Sequence, residues 1–230
     1  MHSTRENLQV LFEDNHLIII NKRVGDIVQG DKTGDKPLSE VVKEYIAEKY
    51  KKPGRVFLGV VHRLDRPTSG IVIFAKTSKA LERLNKMLRE KAISKIYWSI
   101  VKNSPAKEKD TLIHFLKKNP KNNKSTAFKK ETDNSKKAVL HYRVLQKLDH
   151  YSLVEIHLET GRHHQIRCQL ASIGAPIKGD LKYGFNRSNR NGGIHLHARE
   201  ISFVHPVSKE RIDIISPLPR DAIWDAIHFK

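Results

Sequence analysis

The sequence lacks most of the features that define secreted, disulfide-bonded or membrane proteins. Cys168 is the only cysteine among 230 residues, so neither an intramolecular disulfide nor a cysteine-based zinc site can form. The stretch from Met1 to Val10 is polar and has no apolar signal core, and the apolar run that follows, Leu17 to Ile20, is far too short to span a bilayer. These absences predict a cytoplasmic protein that does not enter a membrane.

Acidic residues are scarce relative to basic ones. The chain has 43 lysines and arginines against 25 aspartates and glutamates, which gives a formal net charge of +18. Such an excess of positive charge repels itself, and a polyanionic partner would relieve that repulsion. RNA or DNA is the leading candidate, because each neutralised phosphate releases counterions. A basic protein without a specific partner is the alternative, since charge alone is weak evidence.

The apolar residues predict a mixture of strands and helices. Leu17 to Ile20, Val56 to Val61 and Ile71 to Ala75 are short apolar runs bounded by turn residues, which is typical of buried strands. Apolar residues recur at helical spacing from Leu38 to Ile46 and from Ile166 to Ile173. Because the strands follow one another without regular alternation with helices, the sequence predicts an α+β fold. A chain of this length can form one large domain or two small subdomains.

The densest cluster of chemically useful side chains lies between Val61 and Gly70. It sets one carboxylate, Asp65, between the guanidinium groups of Arg63 and Arg66. A positioned carboxylate can act as a nucleophile, a base or an electrostatic stabiliser, and the surrounding cations suit a polyanionic substrate. Since strands are predicted on both sides, Asp65 is expected on a loop, where function tends to concentrate. The segment therefore predicts chemistry on a nucleic acid.

A second basic cluster runs from Gly161 to Arg167. Gly161 allows a tight turn between a strand and a helix, and Ile166 is expected to point into the core. Arg167 can then lie at the edge of the core and pair with a carboxylate from another segment. Taken alone, an ordinary exposed basic helix is the simpler interpretation.

Leu116 to Lys137 differs from the rest of the chain. It contains eight lysines, is rich in asparagine and has few apolar residues. We interpret it as an exposed basic loop or a hairpin insertion. It can be a solvated face without a partner or an arm that contacts phosphates, and the sequence favours neither.

A metal-dependent hydrolase is a further alternative. His195 and His197, with Glu200 and the pair His163 and His164, could supply metal ligands. No carboxylate cluster stands beside them, and the segment around His195 also fits a plain strand. The sequence therefore favours a protein without a metal site.

Taken together, the clusters resemble the motifs of the RluA-type RNA pseudouridine synthases, in order and with comparable spacing over most of the chain. The matching segments are Glu13 to Lys22 with Gly25, His62 to Gly70 with Ala75-Lys76-Thr77, Lys95-Ile96-Tyr97-Trp98, and Gly161 to Arg167 with Gly174, Ile177, Gly179-Asp180 and Tyr183-Gly184. One departure is Arg23, where the family usually has proline after Asn-Lys. The family's frequent N-terminal S4-type RNA-binding domain is expected to be absent, because the first motif begins near Glu13.

The resemblance assigns roles to individual residues. It implies that Asp65 is the catalytic aspartate, that Tyr97 stacks on the flipped uracil and that Arg167 pairs with Asp65. Arg63 would enter the RNA stack where the target base has left. The remaining expected substrate contacts are Arg66, Lys95, Arg162, His164 and Gln165. The family uses no metal and no cofactor.

Other polar residues of the motifs are expected to be structural or peripheral. His62 can satisfy a backbone group, and Asp180 is expected to support a turn. Lys22 and Lys95 are interpreted as phosphate contacts or surface lysines.

The resemblance also implies an architecture and a partner. The fold would be a central mixed, mostly antiparallel β-sheet with flanking helices and an active-site cleft. Residues 1–230 would form a single catalytic domain that works as a monomer on ribosomal or transfer RNA. The alternative, a non-catalytic basic RNA-binding module, explains the charge. It does not explain why Asp65, Tyr97 and Arg167 all lie in matching motifs.

Overall fold

The computed structural model describes residues 2–31 and 33–227 of the chain. Its strands are β1 (Val10–Glu13), β2 (Leu17–Lys22), β3 (Gly59–Val60), β4 (Ser69–Ala75), β5 (Ser94–Lys102), β6 (Lys109–Asn119), β7 (Lys124–Phe128), β8 (Lys136–Lys147), β9 (Tyr151–Leu158), β10 (Leu196–Val204) and β11 (Arg211–Ile215). Its helices are α1 (Leu38–Lys49), α2 (Ser78–Arg89), α3 (Gln165–Ser172) and α4 (Ala222–Asp225), with a short 3-10 helix at Leu181–Tyr183. The chain divides into two compact units, residues 1–94 with 198–218 and residues 95–197 with 219–230.

The first unit is built on two completely buried strands. All residues of β2 and β4 are buried, and the two strands pair antiparallel with Ile19 opposite Ile73. The strand order is β1, β2, β4, β10 and β11, and β3 pairs with the other end of β4. Helix α1 packs Val42 and Ile46 against Ile18 and other residues of this sheet. The predicted strands at Leu17 to Ile20 and Ile71 to Ala75 are therefore confirmed. Both are apolar along their length because both of their faces are buried.

The predicted strand from Val56 to Val61 is shorter in the structure. Only Gly59 and Val60 pair, with Ala75 and Phe74 respectively. Gly59 approaches the side chain of Leu81 so closely that a β-carbon there would lie 2.6 Å from a methyl carbon. Glycine lets the backbone pack closely against Leu81, and it has low strand propensity.

The second unit is a five-stranded antiparallel sheet in the order β5, β9, β8, β6 and β7. Helix α3 packs on it through Cys168, which contacts a cluster with Leu116, Ala138 and Tyr183. Burial raises the pKa of the Cys168 thiol to about 11. Cys168 is thus a small packed residue of the core.

The lysine-rich segment contains a hairpin. Strands β6 and β7 pair from Phe115 opposite Phe128 to Asn119 opposite Lys124, and a turn joins them. Leu116 is buried, whereas Lys117, Lys118 and the turn residue Lys121 are exposed. The hairpin is thus anchored at its base and displays its lysines to solvent.

The whole arrangement is an α+β fold with mostly antiparallel strand pairs, as the sequence predicted. Helices are few and flank strands that pair largely with neighbours along the chain. None of the helices in residues 2–31 and 33–227 is long and apolar enough to cross a membrane.

Candidate active site

Asp65 lies on the loop between β3 and β4, as predicted from the strands on either side. The loop turns sharply, because the backbone nitrogen of Thr68 donates to the carbonyl oxygen of Asp65 at 3.0 Å. Gly70 then enters β4 with φ of +109°, and a β-carbon there would lie 2.5 Å from the backbone nitrogen of Ala198. Only glycine fits both conditions, so the turn depends on that residue type.

Lys22 holds this loop from inside the first unit. Its amine is completely buried and donates to the carbonyl oxygens of Arg23 at 2.8 Å, Arg66 at 3.2 Å and Thr68 at 2.7 Å. Burial lowers the pKa of Lys22 to about 7, opposed by the charges of Asp26 and Asp65. The interpretation of Lys22 as a phosphate contact or surface lysine is therefore wrong. From sequence alone, a lysine at the end of a strand is expected at the surface, because its burial depends on the tertiary packing of other segments around it.

The other polar residues around Asp65 have distinct surroundings. Arg63 is exposed, and Arg66 is exposed and forms an ion pair with Asp35 at 2.7 Å. Nε2 of His62 accepts a hydrogen bond from the backbone nitrogen of Ile73 at 3.2 Å, which agrees with the structural role expected for that histidine. Asp65 itself is half-buried.

The remaining six predicted site residues belong to the second unit. Tyr97 lies on β5 opposite Ile156 of β9, and its side chain is almost completely buried. Lys95, two residues earlier on the same strand, is half-buried, and burial lowers the pKa of its amine. An aromatic ring and a cation thus alternate with apolar residues along β5.

The turn before α3 is held by the side chain of Gln165. Its amide oxygen accepts from the backbone nitrogen of Arg162 at 3.0 Å and from the hydroxyl of Thr160 at 2.8 Å. Its amide nitrogen donates to the carbonyl oxygen of Val139 at 3.1 Å. Arg162 is exposed, and its Nε donates to the carbonyl oxygen of Lys137. Contact of either side chain with a substrate stays a prediction.

His163 and His164 stack face to face at the start of α3. Their ring centroids are 3.7 Å apart, and His164 has a left-handed backbone with φ of +53°. Nδ1 of His163 lies 2.9 Å from the hydroxyl of Ser125 on β7, and Nδ1 of His164 lies 2.9 Å from the hydroxyl of Tyr183. The basic hairpin and the helix that carries Arg167 are thus joined by side chains.

Arg167 forms a bidentate ion pair with Asp180. Its Nε donates to Oδ2 of Asp180 at 2.7 Å, its Nη2 donates to Oδ1 at 2.8 Å, and both side chains are buried. The guanidinium carbon also lies 5.1 Å from the centre of the Tyr183 ring. The sequence analysis allowed Arg167 to pair with a carboxylate, and the structure shows a pair with Asp180, which the sequence analysis did not name as a partner. Pairing with Asp65 stays a prediction.

Sequence reasoning assigned Asp180 to a turn and no more. The turn exists, because the carbonyl oxygen of Asp180 accepts from the backbone nitrogens of Tyr183 and Phe185. The buried carboxylate was missed, although Gly179-Asp180 and Tyr183-Gly184 lie in the same motif as Arg167. That shared motif was the signal from which a contact could have been predicted.

The histidines proposed as metal ligands have other partners. Nε2 of His195 lies 3.0 Å from a carboxylate oxygen of Asp221, and its Nδ1 lies 2.9 Å from the amide nitrogen of Asn189. Burial lowers the pKa of His195 to about 4. Within the described part of the chain, no group of three or more histidine, cysteine, aspartate or glutamate side chains is arranged to hold a metal ion. No observation therefore favours the hydrolase alternative.

Comparison with known proteins agrees with the motifs. The family model described as RNA pseudouridylate synthase matches residues 16–172. An uncharacterised RNA pseudouridine synthase of Synechocystis sp. is 36% identical over 92% of this chain and 66% of its own length. The ribosomal large subunit pseudouridine synthase D of Zymomonas mobilis is 32% identical, covering 93% and 70% of the two chains. The corresponding synthase C of Vibrio cholerae is 34% identical, covering 91% and 65%.

Solved structures support the fold. A human protein, named RNA pseudouridylate synthase domain containing 4, superposes with a TM-score of 0.76 at 24% identity, covering 92% of this chain and 89% of its own. A second human protein, named RNA pseudouridylate synthase domain containing 1, superposes with a TM-score of 0.75 at 22% identity, covering 95% of this chain and 86% of its own. At these identities the likeness concerns the fold alone.

The fold and the matched motifs are those of the enzymes that isomerise uridine in RNA. The chain belongs to the RNA pseudouridine synthase family and is of the RluA type that its motifs predicted. It spans about two thirds of the length of the curated relatives that it matches.

Proposed function

We propose that this protein converts uridine to pseudouridine in ribosomal or transfer RNA, with Asp65 as the catalytic residue. One observation carries the proposal: Asp65, Tyr97 and Arg167 lie in ordered family motifs, and the loop of Asp65 is fixed by Lys22 and Gly70. The net charge of +18 supports a polyanionic substrate.

The reaction rearranges one nucleotide without loss or gain of atoms. The bond between uracil N1 and ribose C1′ breaks, the base turns, and a new bond forms between C5 and C1′. The hydrogen on C5 leaves as a proton and N1 gains one, so the product is an isomer. The carboxylate of Asp65 can start this sequence either by adding to C1′ or by removing a ribose proton so that a glycal forms.

The base must leave the helical stack before it can react, at a cost of about a few kcal/mol. We propose that the side chain of Arg63, which is exposed, fills the space that the base leaves. Tyr97 would hold the detached base, because base–aromatic stacking contributes about 1–3 kcal/mol. Arg167 would keep the carboxylate of Asp65 charged and aimed, which is the preorganisation that electrostatic catalysis requires.

Further contacts would come from cations and from the turn before α3. We assign Arg66 and Lys95 to phosphate binding, and Arg162, His164 and Gln165 to the substrate side of α3. The protein would work as a monomer in the cytoplasm and without a cofactor. The lysines of the β6–β7 hairpin would contribute to RNA binding.

Mapping of pseudouridines across cellular RNA tests the function and identifies the substrate. RNA from cells that contain the protein is compared with RNA from cells that lack it, by chemical labelling of pseudouridine and sequencing. We expect one or more sites in ribosomal or transfer RNA to disappear with the protein and to return when it is restored. If every site persists while the purified protein still binds RNA, the non-catalytic binding module is the correct reading.

A further inference from the structure

We infer that Asp180 and Tyr183 are positioning residues that fix the guanidinium group of Arg167 for catalysis. Ser125 of β7 supports Tyr183 through its backbone nitrogen, and we call these three residues the socket around Arg167. The inference rests on the proposed function, because the orientation of Arg167 matters only if the protein forms pseudouridine. It goes beyond that function by naming residues that act through Arg167 instead of on the RNA.

Asp180 fixes the plane of the guanidinium. Two hydrogen bonds of 2.7 and 2.8 Å hold it along the edge formed by Nε and Nη2. A planar group that is held along one edge cannot rotate, so its other edge points in a fixed direction. The side chains of Arg167 and Asp180 are only 6% and 1% exposed, so water does not compete for these bonds.

Asp180 is itself held rigidly by its backbone. Gly179 before it has φ of +87°, and a β-carbon there would lie 2.5 Å from the amide nitrogen of Asn189. The backbone nitrogen of Asp180 donates to Ile177 at 3.0 Å, and its carbonyl oxygen accepts from Tyr183 at 3.1 Å. The carboxylate therefore projects from a turn that is tied on both sides.

Tyr183 supports the guanidinium from a second direction. Its ring centre lies 5.1 Å from the guanidinium carbon of Arg167 and 5.2 Å from the amine of Lys124, so two cations share one aromatic ring. Its hydroxyl accepts from the backbone nitrogen of Ser125 at 2.8 Å and lies 2.9 Å from Nδ1 of His164. Burial raises the pKa of Tyr183 to about 12. The hydroxyl is therefore protonated and can donate a hydrogen bond to Nδ1 of His164.

A contribution to folding stability does not by itself explain why Arg167 is paired with Asp180 in the interior. A buried ion pair contributes weakly to folding, because desolvation of both charges offsets their attraction, and well-packed apolar residues often do as well. A requirement for one orientation of Arg167 does explain a carboxylate and an aromatic ring around a single side chain, and a backbone hydrogen bond from Ser125 that holds the aromatic ring in place. A catalytic contribution is then expected from residues that never touch the substrate.

The test compares Asp180→Asn with the wild-type chain on an RNA that contains a uridine which the protein modifies. Release of tritium from uracil C5 measures the rate, and thermal melting measures folding. We expect kcat to fall about 10- to 100-fold while KM changes less than about threefold, since only the oriented transition state is affected. Asp180→Glu keeps the charge and should recover part of the rate. Tyr183→Phe keeps the ring, folds without a new cavity and should lose about two- to fivefold in kcat.

Asp221→Asn is a matched control, because this carboxylate also lies against a buried side chain of the second unit, His195. It should alter melting without altering kcat. A cycle with Arg167→Lys supplies the decisive readout. If Asp180 acts through Arg167, the double variant should be no slower than Arg167→Lys alone, whereas independent structural damage would multiply the two losses.

The two proposals fail in different ways. If the wild type forms pseudouridine and the folded Asp180→Asn variant matches its kcat, the positioning role is wrong and the proposed function stands. If Asp180→Asn does not fold, an unchanged kcat in both Asp180→Glu and Tyr183→Phe overturns the inference. If the wild type forms no pseudouridine in any RNA, the proposed function is wrong.

Discussion

At the scale of single residues, the conformation of the Asp65 loop depends on Lys22 and Gly70. Neither residue type by itself indicates that role. Lys22 satisfies the carbonyl oxygens of Arg66 and Thr68 on either side of the turn. Gly70 lets β4 begin against the backbone of Ala198. Both act on the conformation of the loop that carries Asp65, and neither is among the residues proposed to take part in the reaction.

Lys22 predicts a specific dependence of stability on pH. Its pKa is about 7 in the folded chain against 10.5 for an ordinary lysine, so between these values the unfolded chain binds more protons. Stability must therefore rise with pH across this window, by at most about 1.4 kcal/mol per pH unit, and the gain is absent below pH 7. We expect the free energy of unfolding of the wild type, minus that of Lys22→Met, to increase from pH 7 to pH 10.

Chemical denaturation at several pH values measures this difference. Lys86→Met is the control, because Lys86 is an exposed lysine of α2 whose removal should give a flat profile. An equally flat profile for Lys22→Met would show that the buried amine titrates like an exposed one.

Gly70→Ala should be strongly destabilising. A β-carbon at this position meets the backbone of Ala198, and a φ of +109° is strained for any other residue type. We expect a loss of about 3 kcal/mol in the free energy of unfolding, with a lower melting temperature. Gly30→Ala should change stability by less than about 0.5 kcal/mol, because the space around Gly30 is open. Equal melting temperatures for the two variants would refute the steric argument.

At the scale of elements, periodicity predicted the strands and helices that bury an apolar face. Strand β2, strand β4 and the helix beginning at Leu38 have strong patterns, and the structure contains them. Strand β3 is shorter than expected, since only Gly59 and Val60 pair with β4. Contacts between distant segments, such as Lys22 with Thr68, leave no periodic trace and could not be predicted in the same way.

The β6–β7 hairpin is expected to contact RNA phosphates. Lys117, Lys118 and Lys121 are exposed on it, and none of them lies in the socket around Arg167. Replacing all three by serine should weaken RNA binding and flatten its salt dependence by about 0.7–0.9 in log–log slope for each lost phosphate contact. Binding of labelled RNA between 50 and 300 mM salt, about the range over which such contacts weaken, measures the slope.

The control for the hairpin replaces two lysines of α2, Lys79 and Lys86, which are far from it in the sequence. These changes should leave the slope closer to that of the wild type. A slope that the triple variant leaves unchanged would mean that the hairpin is only solvated.

At the scale of the whole molecule, the predicted site residues are divided between the two units. Asp65, with Arg63 and Arg66, belongs to the first unit, whereas Tyr97 and Arg167 belong to the second. The sequence identified these residues through ordered motifs, and the family assignment followed from the same motifs. It could not reveal that Lys22 is buried, because that burial depends on packing against residues far away in the chain, such as Thr68, which is 46 positions away.

The most direct test of the central claim compares purified wild type with Asp65→Asn on the same cellular RNA. Pseudouridine formation is measured by tritium release, and RNA binding is measured in parallel. We predict that the wild type forms pseudouridine, whereas the variant binds RNA with similar affinity and forms none, because a neutral amide can neither add to C1′ nor act as the base that removes a ribose proton. Pseudouridine formation by Asp65→Asn at the wild-type rate would contradict the account.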